Sequence, residues 1–278
     1  MKQGRLVFTL AVLLTVLGLN AAAAGQEGTD SNASAWPKKP AFSLRIGTYF
    51  SRVSTQVRVD GENGLGTEFD ISDVLGIPPS ATVIRARGEF RLARWFGVEA
   101  EYYRIGRSRT FTIDRDITVG DNVFNVDETV TTRFITSYLD FALKFYLIRK
   151  QRLEMGLWLG ANVHFMNLSL EAQPSEFGVV RSTVWYPVPA GGVHFNYSLL
   201  PRLYLYGKAG FFYYKLSATE KLNAARFDIS LDYYVWKSLG IGVTFAYNDS
   251  SLQTDRARFQ GAVKNRASGF QIYAVIGF

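Results

Sequence analysis

The chain has 278 residues with 31 Lys and Arg against 24 Asp and Glu, no Cys, 3 Met, 2 His, 21 Phe, 15 Tyr and 25 Gly. Without Cys there is no disulfide framework, Cys-held zinc, iron–sulfur cluster or thiol chemistry, and two His leave little for a His-based metal centre, so no cofactor is expected. The net charge of +7 forms no basic stripe interleaved with aromatics, so nucleic acid is not an expected partner. Apolar residues that are aromatic and β-branched, rather than Leu, Ala and Met, predict strands.

Lys2 and Arg5 precede the uncharged run LVFTLAVLLTVLGL, and Ala22, Ala23 and Ala24 follow it as small residues. That order reads as a secretory signal peptide cleaved after Ala24, because the run is shorter than the roughly 20 residues that span hydrocarbon. The polar stretch after it makes residues 25–40 a flexible periplasmic lead-in, and residues 41–278 a single folded unit.

No later apolar run is long enough for a transmembrane helix, and period-two alternation appears instead. Phe42, Leu44, Ile46, Thr48 and Phe50 alternate with Ser43, Arg45, Gly47 and Tyr49; Ile84, Ala86, Gly88, Phe90 and Leu92 alternate with Arg85, Arg87, Glu89 and Arg91. The same split recurs over 138–147, 153–165 and 226–233, one face uncharged and the other gathering charge and Gly. Strands are predicted at 42–59, 81–92, 97–113, 128–147, 153–168, 179–197, 203–216, 223–235, 239–248 and 265–278. Connections alternate between short (about 93–96, 148–152, 198–202, 236–238) and long (about 60–80, 114–127, 169–178, 217–222, 249–264). This describes an all-β, antiparallel up-and-down transmembrane β-barrel of about ten strands, with eight or twelve as alternatives and GTEFDIS as an added hairpin in the first loop. A soluble lipocalin-like barrel has the same period with its apolar face inward. Opposite charges on neighbouring strands, alternating turn lengths and an aromatic last residue favour the membrane arrangement.

The chain ends FQIYAVIGF, with Phe270, Ile272, Ala274, Ile276 and Phe278 on one face. Here it resembles bacterial outer-membrane β-barrel proteins, specifically small OmpA/OmpW-like or porin-family barrels without a periplasmic domain. The resemblance implies that this last strand is a sorting signal read by the barrel assembly machinery. It also implies a place in the bacterial outer membrane, in contact with its lipids and lipopolysaccharide.

The charged face supplies the candidate site. Arg91 is expected opposite Glu99, with Glu89 and Glu101 one pleat further and Arg87 near Tyr103. The inferred lumen charges are Arg45, Arg85, Arg87, Arg91, Lys144, Lys208 and Arg226 against Glu89, Glu99, Glu101, Asp140, Glu154, Asp228 and Asp232. Such a balance fits a plug, since an unpaired buried charge costs several kcal/mol, although charged rings also tune narrow solute or ion channels. Trp158 is expected over backbone left bare by Gly156 and Gly160. Pro187 and Pro189 imply a bulge or lost pairing. Phe96, Phe145, Trp236 and Phe278 are expected in an aromatic girdle at the short-turn end.

His164 and His194 are the candidates for acid–base chemistry, but the expected register puts His164 near Tyr186 and His194 several pairs away, so no hydrolase site is expected. The first two long loops are acidic (Asp60, Glu62, Glu68, Asp70, Asp73; Asp114, Asp116, Asp121, Asp127, Glu128), without calcium-loop spacing. The short turns are basic and suit anionic headgroups. The expectation is a monomeric, non-enzymatic barrel with a structural or surface-interaction role, and a narrow channel as the alternative.

Overall fold

The computed structural model describes residues 40–59, 68–74, 77–112, 117–119, 122–124, 129–173, 179–215, 221–256 and 259–277. The leader with its cleavage position after Ala24, the lead-in up to residue 39, and Phe278 lie outside the described residues.

The elements are β1 (Phe42–Val59), β2 (Glu68–Asp70), α1 (Ile71–Val74), β3 (Ser80–Ala93), β4 (Phe96–Thr112), β5 (Ile117–Val119), β6 (Asn122–Phe124), β7 (Thr129–Arg149), β8 (Leu153–Gln173), β9 (Val179–Leu200), β10 (Leu203–Lys215), β11 (Lys221–Tyr234), β12 (Leu239–Arg256) and β13 (Phe259–Gly277). All except β2, β5 and β6 form one ten-stranded antiparallel ring, closed by β13 on β1 from Ser43↔Gly277 to Val59↔Gly261. GTEFDIS adds no separate hairpin. Its Glu68–Asp70 pairs with β1 at Gln56–Arg58, and α1 follows directly.

The faces sort as the alternation predicts, and their direction excludes the lipocalin-like arrangement. Ile84, Leu147, Leu159, Ile241 and Phe270 point outward and exposed, while Arg85, Glu99, Glu101, Lys144 and Asp228 are buried inside. A soluble barrel would hide the first set and solvate the second. Trp95, Phe96 and Phe145 pack together at the short-turn end, with Trp95 and Phe145 stacked at 6.3 Å, and Trp236 is exposed at the β11–β12 turn.

Two features depart from the sequence expectation, and a third meets it. The stretch 249–264 is mostly strand, because the β12–β13 ladder continues to Arg256↔Phe259. In the β3–β4 hairpin, Ala93 pairs with Phe96, but a bulge at Leu92 shifts the ladder. Arg91 therefore faces Gly97, Glu89 faces Glu99, Arg87 faces Glu101 and Arg85 faces Tyr103. The extra residue of a bulge re-aims every side chain beyond it, and no sequence signal marked it. Third, Pro187 and Pro189 keep their places on β8, opposite Val163 and Ala161. The lost pairing is on the other edge, where the β9–β10 ladder stops at Gly191↔Phe211 while β9 continues back to Val179 and β10 on to Lys215. Pro has no N–H to donate and is tolerated where a strand edge is unpaired.

Candidate functional site: the charged lumen

The lumen residues come from strands whose inward positions are spaced by two, so each long side chain projects into the same interior layer. Around Glu101, Arg85 Nη2 lies at 2.9 Å and Arg87 Nε at 2.5 Å, and both guanidinium groups also reach Asp228, at 3.0 and 3.1 Å. Arg226 Nη2 lies 3.1 Å from Glu101, its Nε 2.7 Å from Asp228, and its Nη1 is paired with Asp140. In the ring order, β4 and β11 are five strands apart by either route. The Arg226–Glu101 pair therefore joins diametrically opposite walls.

Towards the short turns, Lys144 Nζ lies 2.8 Å from Glu89 and 3.6 Å from Glu99, and Lys208 Nζ lies 2.7 Å from Glu99. Tyr146 donates to Glu89 at 2.6 Å and Tyr206 to Glu99 at 3.1 Å. Arg91 Nη2 sits 2.7 Å from Glu154, which Arg149 Nε approaches at 3.3 Å, and Arg45 holds Asp232 at 2.8 Å. Tyr273 also donates to Asp232, and Asn162 donates to Asp140 at 2.6 Å. The structure thus brings together Arg85, Arg87, Glu89, Arg91, Glu99, Glu101, Asp140, Lys144 and Glu154, with Arg45, Lys208, Arg226, Asp228 and Asp232. Each of these charges has an opposite charge within 4 Å. In an interior of low polarity, such pairs are tolerated only when the remaining donors and acceptors are hydrogen-bonded too.

An aromatic arc lies next to this layer. Tyr49, Tyr103, Tyr138, His164 and Tyr186 follow one another from β1 through β4, β7 and β8 to β9, with centroids 5.6, 4.4, 4.9 and 5.0 Å apart. Arg85 lies over both Tyr49 and Tyr103, at 5.1 and 5.6 Å. Nearer the long loops the interior becomes apolar: Val130, Phe134, Met166, Tyr186, Val188, Ala224 and Val263 pack with Ile71 and Ile77 from the first loop. Sequence reasoning missed this cap, since Ile71 and Ile77 lie in a loop with no strand period to assign them a face. Tyr49, Tyr103 and Tyr138 were legible, because each shares parity with the lumen charges on its strand.

Trp158 lies inside, but not over Gly156 or Gly160. Its row partners are Gly192 on β9 and then Gly210 on β10, and a side chain at Gly210 would run into the indole ring. The indole N–H donates to the Ala209 carbonyl at 3.1 Å, and Lys208 Nζ sits 4.2 Å from the ring centre.

The two histidines occupy separate places. His164 stacks on Tyr186, whose hydroxyl is 3.4 Å from Nδ1, and His194 meets the Tyr146 ring edge-on at 5.1 Å. Among the described residues no cluster of three His, Asp or Glu is arranged to hold a metal ion. Of the acidic loop residues, Asp70 accepts from Ser54 at 2.9 Å and from the Ser72 backbone at 2.8 Å, while Asp60, Glu62, Asp114, Asp116, Asp121, Asp127 and Glu128 lie outside the described residues. On the last strand, Phe270, Ile272, Ala274 and Ile276 form an outward row, and each pairs with β1 and β12.

No protein-family model and no curated protein matches this sequence. Among solved structures, the outer-membrane protease OmpT of Escherichia coli superposes with a TM-score of 0.57 at 13% identity, covering 87% of this chain and 97% of OmpT. The fold is that of the bacterial outer-membrane β-barrels. The translocator domain of the autotransporter NalP of Neisseria meningitidis covers all of both chains at 10% identity and a TM-score of 0.47. Ail of Yersinia pestis covers 85% of this barrel and 99% of its own chain at 9% identity, with a TM-score of 0.31.

Proposed function

We propose that this protein sits in the bacterial outer membrane as a monomeric, closed barrel that works through its loops and outer wall, with its lumen serving as a structural plug. The observation that carries this reading is the Arg226–Glu101 pair spanning the full width of the lumen, within a network that joins charges from opposite walls. Side chains fill barrels of about eight strands, whereas open aqueous channels belong to those with 16 to 18. The apolar cap on Ile71 and Ile77 adds a second seal on the long-loop side.

The outward rows suit hydrocarbon, and the aromatic cluster at Trp95, Phe96 and Phe145 suits an interfacial girdle. Exposed Arg94, Lys150, Arg152, Arg202 and Lys237 on the short turns fit anionic headgroups of the inner leaflet, which leaves the long loops to face lipopolysaccharide and external partners. In this reading the barrel assembly machinery inserts the chain through its last strand. OmpT is a protease, but His164 and His194 here are spent on tyrosine packing in separate places, which supports a non-enzymatic role.

Purified protein reconstituted in planar bilayers should give no stable unitary currents, and steady single-channel conductance would replace the plug with a pore. Membrane fractionation combined with heat-modifiable gel migration tests the location, and recovery as a soluble periplasmic protein would overturn it.

A further inference from the structure

The seven positive and seven negative lumen charges described above balance without Arg107, which is also buried in the barrel. Arg107 lies on β4 opposite Phe134, towards the long loops, where the lumen is otherwise apolar. Its Nη1 donates to two backbone carbonyls, those of Val53 and Pro78, each at 3.3 Å. Its guanidinium carbon stands 5.3 Å from the Phe134 ring centre. Nε and Nη2 are buried without any hydrogen-bond partner, and no carboxylate among the described residues pairs with the side chain.

Among the other lumen arginines, Arg45, Arg87 and Arg91 each leave one nitrogen unbonded and Arg85 leaves two, but each of them touches a carboxylate. Arg107 is different in kind: among the described residues it is a buried cation whose contacts are neutral dipoles and a ring face. A guanidinium does not shed its proton in a protein, so burial cannot neutralise it as it can a lysine. Two carbonyl bonds at the long end of the range and one ring contact return little of the cost of desolvating a full charge. The groups left over are all of one type, N–H donors in a planar fork that suits an oxyanion or a halide. On β7, the hydroxyls of Thr132 and Thr136, inward and one pleat to either side of Phe134, are buried and equally unpartnered.

We propose that Arg107 is the receptor of a small-anion site in the long-loop half of the lumen, beneath the segment that carries Ile77 and Pro78. The bound anion completes the electrostatic balance of the barrel interior. Because Pro78 supplies one of the two carbonyls on Arg107, anion occupancy is coupled to the seating of the first loop.

The experiment uses the full chain in detergent micelles with chloride as the probe, titrated into a chloride-free zwitterionic buffer, with Arg107→Met titrated in parallel to subtract the effect of ionic strength. Thermal unfolding of the wild type is expected to show a saturable rise in Tm of several degrees with chloride, as ligand linkage requires. Arg107→Met is expected to lose that rise, and Arg266→Gln, on the outer wall, to keep it. Should Arg107→Met not fold, crystals of the wild type soaked in bromide provide the second reading, with an anomalous peak expected within hydrogen-bonding distance of Arg107 Nε or Nη2. A wild type insensitive to chloride, a rise that persists in Arg107→Met, or bromide density only elsewhere overturns the proposal.

Discussion

Glu89 and Glu99 stand directly opposite each other on the lumen face of the β3–β4 ladder, two carboxylates in a cross-strand pair. Like charges in that position destabilise a sheet, and the bulge at Leu92 is what puts them there. The structure answers with two lysines from other walls, Lys144 on β7 and Lys208 on β10, each within 3 Å of one of the carboxylates. Lys144→Met should therefore destabilise the barrel by up to about 3 kcal/mol, since it leaves the part-buried Glu89 with a facing carboxylate and no cation within 4 Å. Adding Glu89→Gln to it should recover much of that loss. Urea unfolding in micelles, followed by gel migration of the folded form, measures both; a double variant as unstable as the single one would remove Lys144 from this role.

Trp158 gives a second test. The indole reaches from β8 to β10, filling the space that a side chain at Gly210 would need. Gly210→Leu should force the ring out of its slot, costing about 1–3 kcal/mol for overpacking. Trp158→Ala should cost about 3–5 kcal/mol through the cavity it leaves. Near-ultraviolet circular dichroism would report the loss of the fixed indole environment in both, and an unchanged spectrum in Gly210→Leu would show that the slot does not hold the ring.

How far the sequence carries can be read from these two sites. Strand positions and faces were legible from alternation, because period two is enforced at every residue of a wall that separates two environments. The membership of the charged cluster followed from parity alone. Its pairing did not: Arg91 was expected against Glu99 and stands opposite Gly97, two residues away, of which the bulged residue accounts for one. Trp158 was correctly expected to cover glycine backbone, yet the glycine concerned, Gly210, lies two strands on, and only the register of β8, β9 and β10 together identifies it. Arg107 was missed because it lies beyond the stretch where lumen charges cluster, in a layer that tertiary packing of the first loop makes apolar.

The parted β9–β10 seam should be visible in hydrogen exchange. Backbone groups from Val179 to Ala190 have a ladder partner only on β8, whereas Gly191 to Tyr197 are paired on both sides. Amides held on one edge open at lower free energy than those inside a continuous sheet. In micelles, residues 179–190 should exchange faster than residues 191–197 of the same strand. Equal protection across the strand would mean that β10 extends its pairing past Phe211 in solution.

The outer wall yields a prediction whose sign separates lipid from water. Ile272 lies in the middle of the outward row of β13, 60% exposed and paired with Thr48 and Val243. In water, an arginine at such an exposed strand position is close to neutral, as surface substitutions usually stay within about 0.5 kcal/mol. In hydrocarbon, the same side chain near the bilayer midplane costs about 2–4 kcal/mol. Its neighbour Gln271 points the other way and donates to the Arg85 carbonyl at 3.0 Å, so Gln271→Ala loses an interior hydrogen bond worth about 1 kcal/mol in either solvent. Reversible unfolding from lipid vesicles should therefore rank Ile272→Arg as clearly more damaging than Gln271→Ala. If Ile272→Arg is neutral in vesicles while Gln271→Ala is not, the outward face of β13 is not against lipid, and the membrane orientation derived from the exposed apolar rows fails with it.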